Sequence, residues 1–396
     1  MGARRFLNLL VTNRRESMYS LSRFDLSRDQ FFYTNPEEVA SRGRDLHLLL
    51  GRDVEKRFSP NMRRKKRKQQ DVAEKIGTFR LPAPVVNMRP TPFLTALYWQ
   101  QNQLHCFPLS ERNFLFADAR GCMFSYLTDL SCVVTMPSLH APKEYPLQFT
   151  ISHNEGTTGD CTIYIIEQII RREHDFPFEA LVSKSRRNLH PLKAWQCDST
   201  LPLPPYVSEE GYQATLSPIC ASAVIDNRFI CISVLGAGTY CFDTATRAWS
   251  RAGDWMLPFR GMAEYVPELN LWFGAYKGYN LLCAADLSTV VRGQPPERSF
   301  IWEDSTGLPE DWIPCVSSSK LVSLGSRRFC VARLFRKMVP SKDDVDSLTP
   351  VSLFTVLTGL EVLLPGKGKG SGKLRMVKHK SRRFIWSDAG LIASLF

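Results

Sequence analysis

The sequence is poor in the residue patterns that enzymes use. It has seven histidines, and none of them stands at the spacing from a cysteine or a carboxylate that a metal site needs. It contains no Gly-x-Ser-x-Gly, and no glycine-rich pattern opens a helix as in nucleotide sites. The alternating glycines and lysines of Gly366–Gly372 lack the spacing of a phosphate-binding loop, so we interpret them as a flexible linker or hairpin tip. These absences predict no catalytic residue, no cofactor and no metal.

Cysteine pairs with functional spacing are also missing. The eleven cysteines include no Cys-x-x-Cys, and Cys220, Cys231 and Cys241 lie in apolar, strand-like runs. Free thiols of this kind are typical of a reducing compartment, so we expect an intracellular protein without a disulfide framework. His105 and Cys106 are neighbours, but adjacent residues on a strand point to opposite faces, so the sequence favours structural roles for both.

Long hydrophobic runs are absent as well. No segment reaches the roughly 18 consecutive apolar residues of a membrane helix, and we therefore expect no membrane partner. Near the N-terminus the apolar run Phe6–Val11 is short and is followed by Asn13, Arg14 and Arg15, with no small-residue cleavage site. This pattern predicts a β-strand rather than a signal peptide.

Acidic residues are missing from the two segments that give the chain its charge. Six basic residues run without interruption from Arg63 to Lys68, and eight more fall between Lys367 and Arg383, where no acidic residue occurs. These fourteen exceed the net charge of +12, so the remainder of the chain carries about −2. A folded body that is nearly neutral makes nucleic acid an unexpected partner.

The first basic run has three interpretations that the sequence leaves open: a nuclear import signal, a nonspecific phosphate-binding patch, or a solvated loop. Its composition is one that import receptors recognise, although such runs also occur by chance. The aromatic residues expected of a single-strand binder are not interleaved with it. The candidate import signal comprises Arg63, Arg64, Lys65, Lys66, Arg67 and Lys68.

Short strand-like segments dominate the rest of the chain. From Phe93 onward they recur every eight to twelve residues with turn residues between them, which is typical of an all-β sandwich, barrel or propeller. An internal period of roughly 45 residues favours the propeller. The most regular repeat is Ile230–Trp249, where an apolar run ends at Gly236 and Gly238. We expect Asp226–Arg228 to form its hairpin turn, and Trp249 to be buried between adjacent sheets.

The sequence thus predicts an all-β, kelch-like β-propeller of five to six blades. Residues 1–33 would form an N-terminal hairpin that completes the ring, the usual way in which a propeller avoids an open edge. Residues 34–80 would form a charged, largely disordered insertion with a short helix near Glu37–Leu50. Residues 81–396 would supply the blades, and we expect a monomer.

Several phrases carry a family resemblance. They are Arg5–Val11, Thr135–His140, Tyr265–Leu269, Leu271–Gly274 and Cys283–Leu287. The chain resembles, outside Pro36–Gly77 and the basic tail, a plant family of kelch-like proteins of unknown function that is expanded in grasses. The resemblance implies a propeller fold and no activity. Many plant kelch propellers follow an F-box, but residues 1–24 predict strands instead of that helical module.

A clear fold without a catalytic constellation favours a non-enzymatic scaffold for an as yet unidentified protein partner. Two alternatives stay open. Propellers also host hydrolases and oxidoreductases with sites in the central channel, and convergence of carboxylates or histidines there would favour an enzyme. The protein could also be a substrate adaptor for a ubiquitin ligase, in which case a separate chain would supply the docking module.

Overall fold

A computed structural model of the chain describes residues 4–13, 15–28, 31–33, 35–49, 76–90, 103–153, 160–184, 194–198, 201–276, 281–296, 299–304, 311–315, 319–340, 348–364, 374–385 and 390–396. Its strands, in chain order, are β1 (Phe6–Asn13), β2 (Met18–Asp25), β3 (Arg44–Asp45), β4 (His47–Leu49), β5 (Gly77–Thr78), β6 (Pro84–Met88), β7 (His105–Pro108), β8 (Asn113–Ala117), β9 (Met123–Leu127), β10 (Cys132–Thr135), β11 (Pro146–Ser152), β12 (Cys161–Glu167), β13 (Phe178–Lys184), β14 (Ala194–Asp198), β15 (Ile219–Ile225), β16 (Phe229–Val234), β17 (Gly238–Asp243), β18 (Ala248–Gly253), β19 (Arg260–Val266), β20 (Leu271–Ala275), β21 (Leu281–Ala285), β22 (Ser299–Glu303), β23 (Trp312–Pro314), β24 (Lys320–Gly325), β25 (Arg328–Pro340), β26 (Leu348–Leu363), β27 (Arg375–Ile385) and β28 (Gly390–Leu395). Its helices are α1 (Pro36–Arg42) and the short 3-10 segments Pro205–Ser208, Ala214–Leu216 and Val290–Arg292.

The strands form six blades of antiparallel strands. Blade 1 has the order β28-β1-β2-β6, blade 2 comprises β7 to β10, and blade 3 comprises β11 to β14. Blade 4 (β15 to β18) and blade 5 (β19 to β22) are joined by a short parallel pairing of their first strands, β15 and β19. Blade 6 contains β24 to β27, and its long hairpin β25–β26 also carries β23. The sequence left the number of blades at five to six, and the topology gives six.

Every blade packs against the next through its own hydrophobic cluster. Representative pairs across the six interfaces, starting between blades 1 and 2, are Leu10 and Phe116, Phe107 and Ile163, Phe149 and Ile232, Ala223 and Trp272, Phe273 and Phe329, and finally Val322 and Leu7 between blades 6 and 1. Because the last interface returns to the first blade, the ring is closed. This arrangement confirms the predicted all-β propeller.

Both ends of the chain contribute to the closure of the ring. The N-terminal hairpin β1–β2 lies in the middle of blade 1, as the sequence predicts for a closing element. The innermost strand of that blade is β28, from the C-terminus. The amide of Asn8 donates to the Phe396 carbonyl at 3.1 Å, and the amide of Phe396 donates to the Asn8 carbonyl at 3.0 Å. These bonds leave no open edge between the first and last strands.

The second strand of each regular blade accounts for the short apolar runs in the sequence. The strands β8, β12, β16 and β20 are buried along nearly their whole length, because neighbouring blades cover both faces. Strands covered on both faces lose the alternation of polar and apolar residues. The outermost strands β10 and β18 contain no fully buried residue: β10 alternates between half-buried and exposed residues, and half of the residues of β18 are exposed.

The turns of blade 4 follow the sequence closely. Asp226 and Asn227 have φ values of 52° and 48°, the left-handed pair that a tight hairpin needs. Gly238 also has a left-handed φ, and a Cβ there would lie 2.3 Å from the Gly253 carbonyl oxygen, so crowding excludes other residues. Gly236 differs, because a Cβ there would meet nothing within 4 Å and only its φ of +79° favours glycine.

Trp249 partly departs from the prediction. Its ring lies 5.8 Å from that of Phe178 in blade 3 and 5.1 Å from that of Phe242 in blade 4, so it sits between blades as expected. The side chain is only half-buried, however, because β18 is the outermost strand of its blade. Its indole N–H donates to the Pro202 carbonyl at 2.9 Å.

The charged insertion contributes several elements to the fold. The helix α1 begins after Asn35, whose side chain accepts a hydrogen bond from the Glu38 amide, and Pro36 occupies its first turn. The strand β4 extends blade 5 by pairing with β22. The strands β3 and β5 both pair with β27 of blade 6. Residues 50–75 lie outside the described residues, so the predicted disorder of the insertion stays a prediction.

Candidate functional site

The ring encloses a central cavity of about 2570 Å³. Its wall is built mainly from the first strands of the blades and the turns that flank them. Among the described residues, its charged lining side chains are three cations and four anions: Arg4, Arg260 and Lys320, with Glu111, Asp226, Glu264 and Glu268. The cavity therefore has little net charge, as expected for the body of the chain.

The titratable groups of this wall bond mainly to neighbouring backbone. Glu264 accepts a hydrogen bond from the Ser323 amide at 2.7 Å, and burial raises the pKa of its carboxyl. Lys320 donates to the Ala393 carbonyl at 3.3 Å and to the Ser394 hydroxyl at 3.1 Å, and burial lowers its pKa. Burial also lowers the pKa of His105 to about 4. Across the part of the wall that the structure describes, we find no two carboxylates or histidines joined by a hydrogen bond.

The two ends of the ring differ in their loops. Each crossover from one blade to the next ends beside the turn between the second and third strands, as the pairing of Ile219 with Val234 shows in blade 4. We call this end the crossover face. The turns between first and second strands, and between third and fourth strands, lie at the opposite end.

Several exposed apolar side chains lie in loops at the crossover face of blades 3 and 4. Tyr145 and Phe176 belong to blade 3 loops and are 42% and 44% exposed. Leu203 and Leu216 lie in the crossover into blade 4, and Leu235 lies in its second turn, at 39%, 63% and 54% exposure. Isolated exposed apolar residues are ordinary, but a group at one end of a ring is typical of a contact surface.

A polar cluster occupies the same end of the molecule at the boundary of blades 2 and 3. The crossover into blade 3 supplies His140 and Lys143, while β13 supplies Glu179 and β14 supplies Cys197. Glu179 has no exposed side-chain surface, and Lys143 has almost none. The structure thus places a carboxylate at the base of a cluster whose imidazole is 43% exposed.

Glu179 is the centre of this cluster. Its Oε2 pairs with the Lys143 ammonium, which also donates to the Ala141 carbonyl at 2.8 Å. Its Oε1 accepts from the His140 backbone amide at 2.9 Å and lies 2.6 Å from His140 Nδ1. Cys197 Sγ lies 3.4 Å from the same Oε1 and 3.5 Å from Nδ1.

The electrostatics of the cluster follow from these contacts. Burial alone would raise the pKa of Glu179, but the hydrogen bonds and charge of Lys143, together with the bonds from His140, hold it below its usual value. Burial and the neighbouring Glu179 carboxylate raise the pKa of Cys197 to about 12. The thiol is therefore protonated at neutral pH in the cluster as it stands.

The geometry does not fit a thiol protease triad. Such a triad uses one imidazole nitrogen toward the thiol and the other toward the carboxylate. Here Nδ1 of His140 faces both Glu179 and Cys197, and the carboxylate touches the thiol directly. A carboxylate beside a thiol opposes the thiolate that nucleophilic attack requires. Three different metal-ligand types do converge, however, with their donor atoms within 4.8 Å of one another.

Sequence reasoning could not find this cluster. Its residues lie at positions 140, 143, 179 and 197, and no local spacing connects them. They meet because the crossover and the two outer strands of blade 3 end at the same face.

The residues that the sequence did single out, Arg63 to Lys68, lie outside the described residues. None of the eleven cysteines forms a disulfide, including Cys231 and Cys241, which face each other across β16 and β17. Among the described helices, none is long and apolar enough to cross a membrane.

Solved structures offer only weak likenesses. The chain is similar to the computationally designed Ika8 protein, with 9% identity over 70% of this chain and 71% of that chain and a TM-score of 0.30. It is also similar to the β-propeller domain of Cps50 (Swd1) from Myceliophteria thermophila, with 8% identity over 70% of this chain and 96% of that chain and a TM-score of 0.25. At such TM-scores neither likeness carries an argument, and we base the fold on the sheet topology.

Comparison with curated proteins found no match. One family model matches residues 4–385, which run from β1 to the end of β27 and so include strands of all six blades. The chain therefore belongs to the family described as "Protein of unknown function (DUF1668)".

Proposed function

We propose that the protein is a non-enzymatic interaction scaffold whose crossover face, at blades 3 and 4, binds a protein partner. The observation that carries the proposal is the group of exposed apolar side chains there, with Leu216 and Leu235 the most exposed. Apolar side chains at the centre of an interface supply most of its binding energy. The nearly neutral cavity beside them supports a protein segment as the ligand in preference to a polyanion.

The opposite end of the ring offers a matched control. Leu130 in the third turn of blade 2 and Val133 in its outermost strand are 68% and 58% exposed. They are thus as exposed as Leu216 and Leu235 but lie away from the crossover face. Replacing either pair, Leu216 with Leu235 or Leu130 with Val133, by serine removes a similar exposed apolar area without disturbing a buried contact.

The experiment is affinity purification with mass spectrometry from native tissue, comparing wild type with the doubles Leu216→Ser/Leu235→Ser and Leu130→Ser/Val133→Ser. We expect the crossover-face double to lose partners that the control double retains. Recovery of the same partners by both double variants would contradict the proposal. Ligase subunits among the retained partners would identify the scaffold as a ubiquitin-ligase adaptor.

We also propose an intracellular location, with Arg63–Lys68 as a nuclear import signal. The absence of disulfides among the eleven cysteines supports a reducing compartment. A fluorescent fusion too large to diffuse through the nuclear pore tests the signal, with all six basic residues replaced by serine in the variant. We expect the replacement to move the fusion from nucleus to cytoplasm. A wild-type fusion that is already wholly cytoplasmic would exclude the import role.

A further inference from the structure

We infer that His140, Glu179 and Cys197 form a binding site for a divalent transition cation, with zinc as the best match. The three side chains offer nitrogen, oxygen and sulfur atoms that all lie within 4.8 Å of one another. This mixed donor set suits a borderline cation such as Zn²⁺ better than Mg²⁺ or Ca²⁺, which take oxygen ligands. The inference is independent of the proposed binding face.

The separations of the donor atoms support a tetrahedral centre. Ligand bonds of zinc imply edges of about 3.5 Å between sulfur and nitrogen or oxygen. The observed distances from Cys197 Sγ are 3.5 Å to His140 Nδ1 and 3.4 Å to Glu179 Oε1. The remaining edge, between Nδ1 and Oε1, is 2.6 Å and would have to open by about 0.7 Å to reach the zinc value. His140 can supply that movement because its side chain is 43% exposed on a loop.

The surroundings already hold the least mobile ligand in place. The Lys143 ammonium binds Oε2 of Glu179, and the His140 amide donates to Oε1, which keeps a second lone pair for a cation. Outer contacts of this kind orient ligands in metal sites. With three protein ligands, a tetrahedral ion takes a water or another molecule as its fourth ligand. The exposed edge of His140, beside the Phe176 ring at 5.3 Å, gives the ion an entry path from solvent.

Binding exchanges protons in a defined way. A cysteine binds zinc as the thiolate, so coordination forms an S–Zn bond and releases the thiol proton to buffer. No electron transfer is involved. The apparent affinity must therefore rise with pH, and the heat of binding must depend on the buffer. A cation bound only by surface carboxylates would show neither property.

The test uses the full chain after treatment with a chelator. Zinc titration followed by calorimetry, in two buffers with different ionisation enthalpies, gives stoichiometry, affinity and proton release. Cobalt substitution adds a spectroscopic readout, because a thiolate ligand to Co²⁺ produces a charge-transfer band in the near ultraviolet. We expect one zinc ion per chain, with proton release, and a cobalt spectrum that contains this band.

Variants separate the site from adventitious binding. Cys197→Ser should abolish the cobalt band, and His140→Ala, at an exposed side chain, should weaken zinc binding at least about tenfold. Cys132→Ser, at another half-buried cysteine, is the control and should change neither. Glu179→Gln is less useful because it leaves Lys143 buried without its carboxylate and threatens folding. Absence of zinc uptake by the wild type, or a cobalt band that survives Cys197→Ser, would overturn the inference.

Discussion

Asp243 holds the third turn of blade 4 together. Its carboxylate accepts two hydrogen bonds from the Arg228 guanidinium, at 2.8 and 2.6 Å, and one from the Ala245 amide at 3.0 Å. Arg228 follows the first turn of the same blade, so the contact joins two neighbouring turns at the end opposite the crossover face. The Arg228 bonds, together with those from Ala245 and Thr246, hold the pKa of Asp243 well below its usual range.

This contact predicts a pH-dependent contribution to stability. The folded pKa of Asp243 lies below its unfolded value of about 3.9, so its stabilisation is present above that value and disappears as the pH falls through the folded pKa. Asp243→Asn should lower the free energy of unfolding at pH 7 by about 1 kcal/mol, since a partly exposed pair is screened by solvent.

Denaturant unfolding across the pH range measures this effect. The difference between wild type and Asp243→Asn should shrink steadily below about pH 4. A difference that stays constant down to the lowest pH at which the protein folds would contradict the assigned role of the carboxylate. Arg228 is the charged group paired with it among the described residues of the turn.

Asn227 has two roles that substitutions can separate. Its left-handed φ shapes the first turn of blade 4, and its side chain bonds both backbone groups of Ser152 in blade 3, at 3.1 and 2.6 Å. Asn227→Gly retains the backbone freedom and removes the bonds between blades, at a cost of about 1 kcal/mol. Asn227→Ala loses both, and the strain should add about 1 kcal/mol more.

Thermal and denaturant unfolding of the two variants provides the check for Asn227. The order of stability should be wild type, then the glycine variant, then the alanine variant. A glycine variant as stable as the wild type would show that the bonds between blades 3 and 4 contribute nothing.

At the scale of the elements, the position of Trp249 on the outermost strand β18 limits what its side chain contributes to the free energy of unfolding. The ring packs between Phe178 and Phe242 but stays half-buried at the rim of its blade. Trp249→Ala should therefore cost about 2 kcal/mol, less than the about 3–5 kcal/mol that truncation of a fully buried tryptophan costs. Trp302, which is fully buried between blades 5 and 6, supplies the comparison.

Equilibrium unfolding of Trp249→Ala and Trp302→Ala tests this difference. We expect Trp302→Ala to be clearly the more destabilising change. A loss below about 1 kcal/mol for Trp249→Ala would show that its contacts between the blades are absent.

An element could be predicted from the sequence where a few neighbouring residues determine it. The turn at Asp226–Arg228 could be located from sequence, because a few residues determine it. The apolar second strands could also be predicted, because each is a local run of apolar residues. The exposure of Trp249 could not be predicted, because it depends on the position of β18 at the rim of its blade. The pairing of β3, β4 and β5 with blades 5 and 6 could not be predicted, because strands of two or three residues carry almost no pattern.

At the scale of the whole molecule, closure and function depend on contacts between distant parts of the chain. The repeat period predicts a propeller but leaves the blade count open, because blade 1 takes strands from both chain ends and blade 6 has unusually long strands. The cluster of His140, Glu179 and Cys197 exists only once the ring places blade 3 beside the crossover from blade 2. The proposed binding face and the proposed metal site therefore both depend on how blades 2 to 4 pack beside one another.

Hydrogen exchange of the C-terminal strand tests the closed ring most directly. If β28 is the innermost strand of blade 1, the amides of residues 390–396 that donate to β1, such as that of Phe396, should be protected nearly as strongly as those of β16, the buried second strand of blade 4. The exposed outermost strand β10 should exchange faster than either and serves as the internal comparison. A C-terminal segment that exchanges as fast as an unstructured peptide, while β16 remains protected, would contradict the closed six-bladed ring.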